Sequence, residues 1–294
     1  MKGLWFVAGL AVSWGVALGA SAASDRAGLA LVLAIDVSGS IDDNQFKLQR
    51  EGIARAFESE EVAATLSNTV PQTMEIAVIE WAEEQHLLVP WTVLRRRDDI
   101  AALATPLRGA NRSWLHTKTD PGGGIAAAER LFAVQPLAAL RSVIDVSGDG
   151  CQNTGEVATA DARDAAVSHG FTVNGLPITS GHNSGVEDWY RANVVGGPGA
   201  FLVVADSYDA FAAAFRHKLT LEISGLRTGL QLAHASGNPQ WPDWRVPVGA
   251  DREHKKAGRK GLPEILIVSR PLRPLPFEHP NGLGTLCRPQ SSDR

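Results

Sequence analysis

Residues 29–40 read Leu-Ala-Leu-Val-Leu-Ala-Ile-Asp-Val-Ser-Gly-Ser. The unbroken apolar run from Leu29 to Ile35 has the length and character of a strand buried on both faces. Oxygen-bearing side chains then occupy alternate positions, Asp36, Ser38 and Ser40. That spacing lets one tight loop, just past a buried strand, aim a carboxylate and two hydroxyls at a single point. A strand covered on both faces belongs inside a parallel sheet. The flanking sequence must therefore supply helices to cover it.

It does. Asp42 to Phe57 reads as an amphipathic helix with Phe46, Ile53 and Phe57 on one face. Glu75–Trp81 and Gln85–Trp91 read as two strands. The short gap between them allows an antiparallel hairpin and forbids a helical crossover. Asp98–Leu103 reads as a short helix with paired acids at its positive end. Further on, Gly122–Phe132 is a helix, Arg141–Val146 a strand, and Glu156–His169 an Ala-rich helix. Phe171–Leu176 and Phe201–Val204 are strands. Ser207–Leu219 is a helix with Ser207 as N-cap and an apolar stripe of Tyr208, Phe211, Phe215 and Leu219. Alternation of this kind predicts an α/β domain: an open, doubly wound, mostly parallel six-stranded sheet with one antiparallel edge strand. Ligands of such sheets bind beyond the carboxyl ends of the strands, where strand order reverses.

Two more segments bring oxygen donors to that end of the sheet. The strand from Arg141 leads into Ser147-Gly148-Asp149-Gly150, a second carboxylate. Thr119 stands before Asp120-Pro121-Gly122-Gly123-Gly124, at the start of a helix. The run Asp36-x-Ser38-x-Ser40, the later Thr119 and the later Asp149-Gly150 resemble the metal-ion-dependent adhesion site of von Willebrand factor A domains, over roughly residues 28–223. The phrases DVSGSID, VIEWA, VIDVSGDG, NGLPI and GGPGAF are similar to a bacterial secreted family of this fold with no assigned function.

The resemblance implies that Ser38, Ser40 and Thr119 ligate a divalent cation, with Asp36 and Asp149 close, directly or through water. The chemistry of the donors agrees. All five are hard oxygen donors, suited to Mg²⁺, Mn²⁺ or Ca²⁺, with Mg²⁺ the expected ion. Two anions and three neutral hydroxyls leave a dication short of ligands. By resemblance, the open position takes a carboxylate from a protein partner. Asp42, Asp43 and Asp120 add negative potential nearby. Asp120-Pro121 departs from the small residues usual there and puts the approach of Thr119 in question. Thr117 is the other threonine of that segment.

Other residues read as structural. Glu80 and Asp145 are carboxylates inside apolar strands and need partners. Asp145 stands four residues before Asp149 on the strand; it reads either as a group that orients the metal ligands or as one member of a structural hydrogen-bonded pair, for which Arg141 is a candidate partner, and the structural pair is the favoured reading. His86, His116, His169 and His182 make no zinc spacing. Asn174-Gly175 and Gly196-Gly197-Pro198-Gly199 read as turns. The glycines after Pro121 lack the Lys-Ser/Thr of a phosphate-binding P-loop.

The chain has 294 residues and 20% charged residues, enough apolar sequence for a core and too few cysteines for a disulfide scaffold. The formal net charge of −4 gives no reason to expect nucleic acid. Residues 24–225 carry 16 Lys+Arg against 26 Asp+Glu, and residues 226–294 carry 11 against 6. The body is thus acidic and the tail basic. The tail also holds 9 of the 16 prolines, which break regular elements, so it reads as largely irregular, with Ile265–Val268 as an isolated strand at most.

Residues 1–23, with Lys2, an apolar run and Ala20-Ser21-Ala22, read as a cleaved secretory signal peptide. The rival is an uncleaved anchor, for which a run of about 17 apolar residues is short. The mature chain is then periplasmic or secreted, with no membrane span. Cys151 and Cys287 are either a disulfide that export permits or two thiols.

The resemblance favours a binding module over an enzyme. An Asp-dependent phosphoryl-transfer enzyme would carry a second Asp where Ser38 stands. A metal-independent scaffold component is the remaining alternative.

Overall fold

The computed structural model describes residues 26–112, 118–179 and 185–225, with the backbone of 243–246. The apolar run forms strand β2 (Leu29–Asp36), preceded by a two-residue β1 (Arg26–Ala27). Helices α1 (Asp43–Glu58) and α2 (Glu60–Ser67) follow. Next come the hairpin β3 (Met74–Trp81) and β4 (Gln85–Leu94), then α3 (Arg97–Ala102), α4 (Ala104–Gly109) and α5 (Pro121–Leu131). The second half runs β5 (Ala138–Ala139), β6 (Ser142–Gly148), α6 (Thr159–Ser168), β7 (Thr172–Pro177), α7 (Val186–Asn193), β8 (Leu202–Ala205) and α8 (Tyr208–Ser224). A last strand, β9 (Asp243–Val246), comes from the tail.

The main sheet has the order β4-β3-β2-β6-β7-β8-β9. Among its described strands only β3 and β4 pair antiparallel. The remaining neighbours pair parallel. β1 and β5 form a small parallel pair of their own.

Every residue of β2 is buried. Alternate side chains serve opposite faces, as strand geometry requires. Leu29, Leu31, Leu33 and Ile35 join Phe46, Ile53 and Phe57 of α1, Val62 and Leu66 of α2 and Phe211 and Phe215 of α8. Ala30, Val32 and Ala34 join Ile125 of α5, Ala166 of α6 and Tyr190 of α7. The six strands of the body and their covering helices match the sequence expectation. The chain leaves β2 for β3 on one side and returns to β6 on the other. The crevice where strand order reverses therefore lies between the ends of β2 and β6.

Several details differ from expectation. α2, α4 and α7 are additional helices. The helix read from Glu156 begins only at Thr159. Gly155 has φ +103°, and Gln152 Oε1 accepts from Thr159 N and Oγ1 at 2.9 and 3.0 Å, so the preceding turn is held out of the helix. Asn174-Gly175 is no turn but the buried middle of β7. Asn174 accepts from Phe201 N at 2.7 Å and donates to Glu222 Oε1 at 2.6 Å. The tail is not wholly irregular: β9, which contains Trp244, adds a seventh strand beside β8. Residues 1–23, His116, Thr117, His182, Trp241, Ile265–Val268 and Cys287 lie outside the described residues. Among the described residues no helix is long and apolar enough to cross a membrane.

The buried carboxylates have partners. Glu80 of β3 forms a buried ion pair with Arg50 of α1. Asp145 of β6 pairs with Lys218 of α8 at 2.5 Å, not with Arg141, and Lys218 also meets Glu222 at 3.1 Å. Arg141 instead donates to the Glu222 carbonyl at 2.7 Å.

Candidate metal centre

β2 ends at Asp36 and β6 at Gly148, in adjacent registers, since Ile35 pairs with Ser147. The loops that follow therefore leave the sheet side by side. The first loop is tight. Ser38 N donates to Asp36 Oδ1 at 2.7 Å, which folds the chain back over its own carboxylate. Ile41 N then bonds to the Ser38 carbonyl at 3.1 Å. Asp42 closes the loop by capping α1. Its Oδ1 accepts from Asn44 N and Gln45 N, both at 2.8 Å, while Gln45 Oε1 accepts from Asp42 N.

The two loops meet through side chains. Ser38 Oγ and Ser40 Oγ lie 3.2 Å apart, and Ser40 Oγ donates to Asp149 Oδ1 at 2.6 Å. Asp149 Oδ2 accepts from the Tyr208 hydroxyl at 3.0 Å. Thr119 arrives from the connection before α5. Its N donates to Asn153 Oδ1 at 2.8 Å, and Asn153 N donates to its carbonyl at 3.0 Å. That exchange fixes Thr119 to the Asp149 loop. Its hydroxyl lies against Gly150, 3.6 Å from where a Cβ would stand. The structure thus brings four of the five expected ligands into one hydrogen-bonded chain and sets the fifth beside it.

Asp36, Ser38, Thr119 and Asp149 are buried, and Ser40 is exposed at the mouth. Burial, with Asp149 alongside, pushes the Asp36 carboxyl up to about 8. Burial also raises Asp149, against the hydrogen bonds from Ser40 and Tyr208. Two dehydrated carboxylates facing one another create a demand for positive charge.

Among the described residues, two buried oxygens here have no hydrogen-bond partner, Asp36 Oδ2 and the Tyr190 hydroxyl. Both border the space over Gly148, where a Cβ would stand 2.6 Å from each. Only glycine keeps that space open. An orphaned carboxylate oxygen in a cradle of hydroxyls fits a hard divalent cation. Among the described residues, no three or more His, Cys, Asp and Glu side chains form a candidate metal group, so this donor set is mostly hydroxyl.

The neighbouring acids have other employment. Asp42 caps α1, and Asp43 faces Arg112 at 3.4 Å. Asp120 caps α5, accepting from Gly123 N at 3.0 Å, with Pro121 at the first helical position, where proline fits. The Asp120-Pro121 departure is therefore absorbed by the helix start. Cys151 is half-buried and disulfide-bonded.

Sequence reasoning missed three residues. Tyr208 was legible only as part of an apolar stripe, and Tyr190 carried no signal. Arg112 lay between helices with nothing to mark it. Its Nη2 donates to the carbonyls of Val37, Ser38 and Ile41.

The fold is that of von Willebrand A domains. Proximal thread matrix protein 1 from the mussel byssus, solved with zinc occupying its MIDAS motif, is similar at TM-score 0.51 and 12% identity, over 68% of this chain and 48% of that one. The pilus adhesin SpaC from Lactobacillus rhamnosus GG is similar at TM-score 0.50 and 14% identity, over 68% and 31%. A von Willebrand factor type A protein from Catenulispora acidiphila reaches TM-score 0.49 and 18% identity, over 67% and 43%. The chain spans about half the length of the byssus and Catenulispora structures. At these identities the likeness is one of fold. No curated protein matches the chain. A family model described as a protein of unknown function (DUF1194) matches residues 26–227.

Proposed function

This chain belongs to the DUF1194 family of proteins of unknown function, and we propose that it is an exported, metal-dependent protein-interaction module. Asp36, Ser38, Ser40, Thr119 and Asp149 would hold a divalent cation, with Mg²⁺ the expected ion. When bound, the ion supplies a Lewis-acidic position for an outside carboxylate. The observation that carries this reading is the buried Asp36 Oδ2, without a hydrogen-bond partner among the described residues, beside Asp149 and the serine hydroxyls. The chain's own groups do the arranging. Tyr208 holds one oxygen of Asp149, the Asp36–Ser40 loop presents the two hydroxyls of Ser38 and Ser40, and Ser40, the exposed one, stands at the mouth, where a partner arrives. Zinc in the MIDAS motif of the byssus protein and the adhesin role of SpaC support the reading by analogy of fold. Export rests on the leader-like residues 1–23.

The test is thermal melting in Mg²⁺, in Mn²⁺ and in chelator, for the wild type and Asp36→Asn. At 100 times the dissociation constant, bound ion adds about 3 kcal/mol. For a body of this size that is a rise of about 5–10 °C. Asp36→Asn should fold and show no rise. Equal melting of the wild type with ion and with chelator would remove the metal. Capture of a partner from periplasmic extract, lost in chelator, then tests the interaction role.

A further inference from the structure

The Asp36 loop exposes a set of carbonyls to the space behind it. Three of them converge on one group: Arg112 Nη2 donates to Val37, Ser38 and Ile41 carbonyls at 3.3, 2.9 and 2.5 Å. The first two belong to the peptide units on either side of Ser38. The third lies just past Ser40. The guanidinium is held in turn. Nη1 faces Asp43 Oδ1 at 3.4 Å, and the group sits over the Phe46 ring, 5.8 Å from its centroid. The side chain is only 13% exposed. Arg112 stands in the connection that goes on to Thr119, so it ties one ligand-bearing segment to another.

We propose that Arg112 is a positioning residue of the metal site: it fixes the peptide planes on either side of Ser38 and the one that follows Ile41, so that the loop held between them turns the Ser38 and Ser40 hydroxyls toward Asp149 and the cation. The proposal rests on the metal reading above. Its charge gives it a discriminating sign. A guanidinium near a dication repels it, so on charge alone the loss of Arg112 tightens binding. If orientation dominates, the loss weakens binding. Groups that orient metal ligands are typically worth 10–100-fold in affinity. Lysine keeps the charge but has a single nitrogen, so it cannot hold the loop carbonyls and Asp43 at once, as Nη2 and Nη1 of Arg112 do.

The experiment is a Mn²⁺ titration of the full chain, followed by electron paramagnetic resonance, for the wild type, Arg112→Ala and Arg112→Lys. Melting in chelator and in Mn²⁺ runs alongside. Both variants should bind Mn²⁺ about 10–100-fold more weakly, and the rise in melting temperature with Mn²⁺ should shrink accordingly. Should Arg112→Ala fail to fold, Arg112→Lys carries the comparison. Wild-type or tighter affinity in either variant overturns the proposal, including the case where melting in chelator falls but affinity does not, which is a merely structural role. A wild type that binds no Mn²⁺ is a failure of the metal reading, visible before any Arg112 variant is made.

Discussion

The ion pair between Arg50 and Glu80 fastens α1, the helix that leaves the metal loop, onto the neighbouring strand β3. Both side chains are almost fully buried, at 4% and 2% exposure. Burial pulls the Arg50 guanidinium down to about 10, and its face lies 4.9 Å from the Phe46 ring centroid. Removing one partner leaves the other charge dehydrated and unmatched, at a cost of about 3–5 kcal/mol. Removing both and filling the space with apolar groups deletes the dehydration cost along with the attraction and is close to neutral. The variants are Arg50→Met, Glu80→Met and the double substitution. Urea unfolding in chelator, followed by tryptophan fluorescence, reads each without any contribution from bound ion. Each single variant should lose about 3–5 kcal/mol, which for this body is a fall of about 10 °C in melting temperature. The double variant should return to within about 1 kcal/mol of the wild type, a strongly non-additive cycle. Single losses below about 1 kcal/mol that simply add would show that the pair is solvated in solution and does not anchor α1.

Two further expectations concern other groups. Gly148→Ala places a methyl 2.6 Å from Asp36 Oδ2 and from the Tyr190 hydroxyl. It should cost about 1–3 kcal/mol by overpacking and abolish the rise in melting temperature with Mn²⁺, and an undiminished rise would refute the cradle. Arg108 donates to Glu51 at 2.8 Å and to Glu58 at 2.5 Å and holds both carboxyls below their ordinary 4.5. Because those folded values are depressed, the stabilisation is present above pH 4.5 and is lost as pH falls through the lowered values. All three groups are exposed, so the contribution is at most about 1 kcal/mol and is weaker in salt. Acid titration of Arg108→Ala by circular dichroism should show a shallower loss than the wild type, and superimposable curves would contradict the assignment.

The parts of the fold legible in the sequence were those written locally. β2 announced itself because both its faces are buried, so no polar residue interrupts Leu29 to Ile35. Asp36, Ser38 and Ser40 were legible because they share one turn, and Asp149 because its Gly-Asp-Gly follows another buried strand. Pairings that exist only in three dimensions were not legible. Glu80 and Asp145 could be seen to need partners, but Arg50 and Lys218 lie 30 and 73 residues away in sequence, on helices whose rotation the sequence does not specify. Arg112 was invisible for the same reason: three of its hydrogen bonds go to backbone carbonyls, which carry no side-chain signature, and Asp43 and Phe46 lie 69 and 66 residues away in sequence. The short helices α2 and α7 lack enough turns for a periodicity to stand out. Asn174-Gly175 looked like a turn because those residues favour turns. In the sheet, Asn174 uses its amide to satisfy Glu222 and Phe201.

Strand β9 changes what counts as the folding unit. The family match stops at residue 227, but the sheet continues at Asp243–Val246, in register with all four residues of β8. A protein trimmed to the matched span would leave the backbone donors and acceptors along that side of β8 bare. Such an open border invites a second molecule to add its own strand. Expression designs that keep the chain through Val246 retain the border's natural cover, and oligomers seen only in shorter versions would be products of the cut.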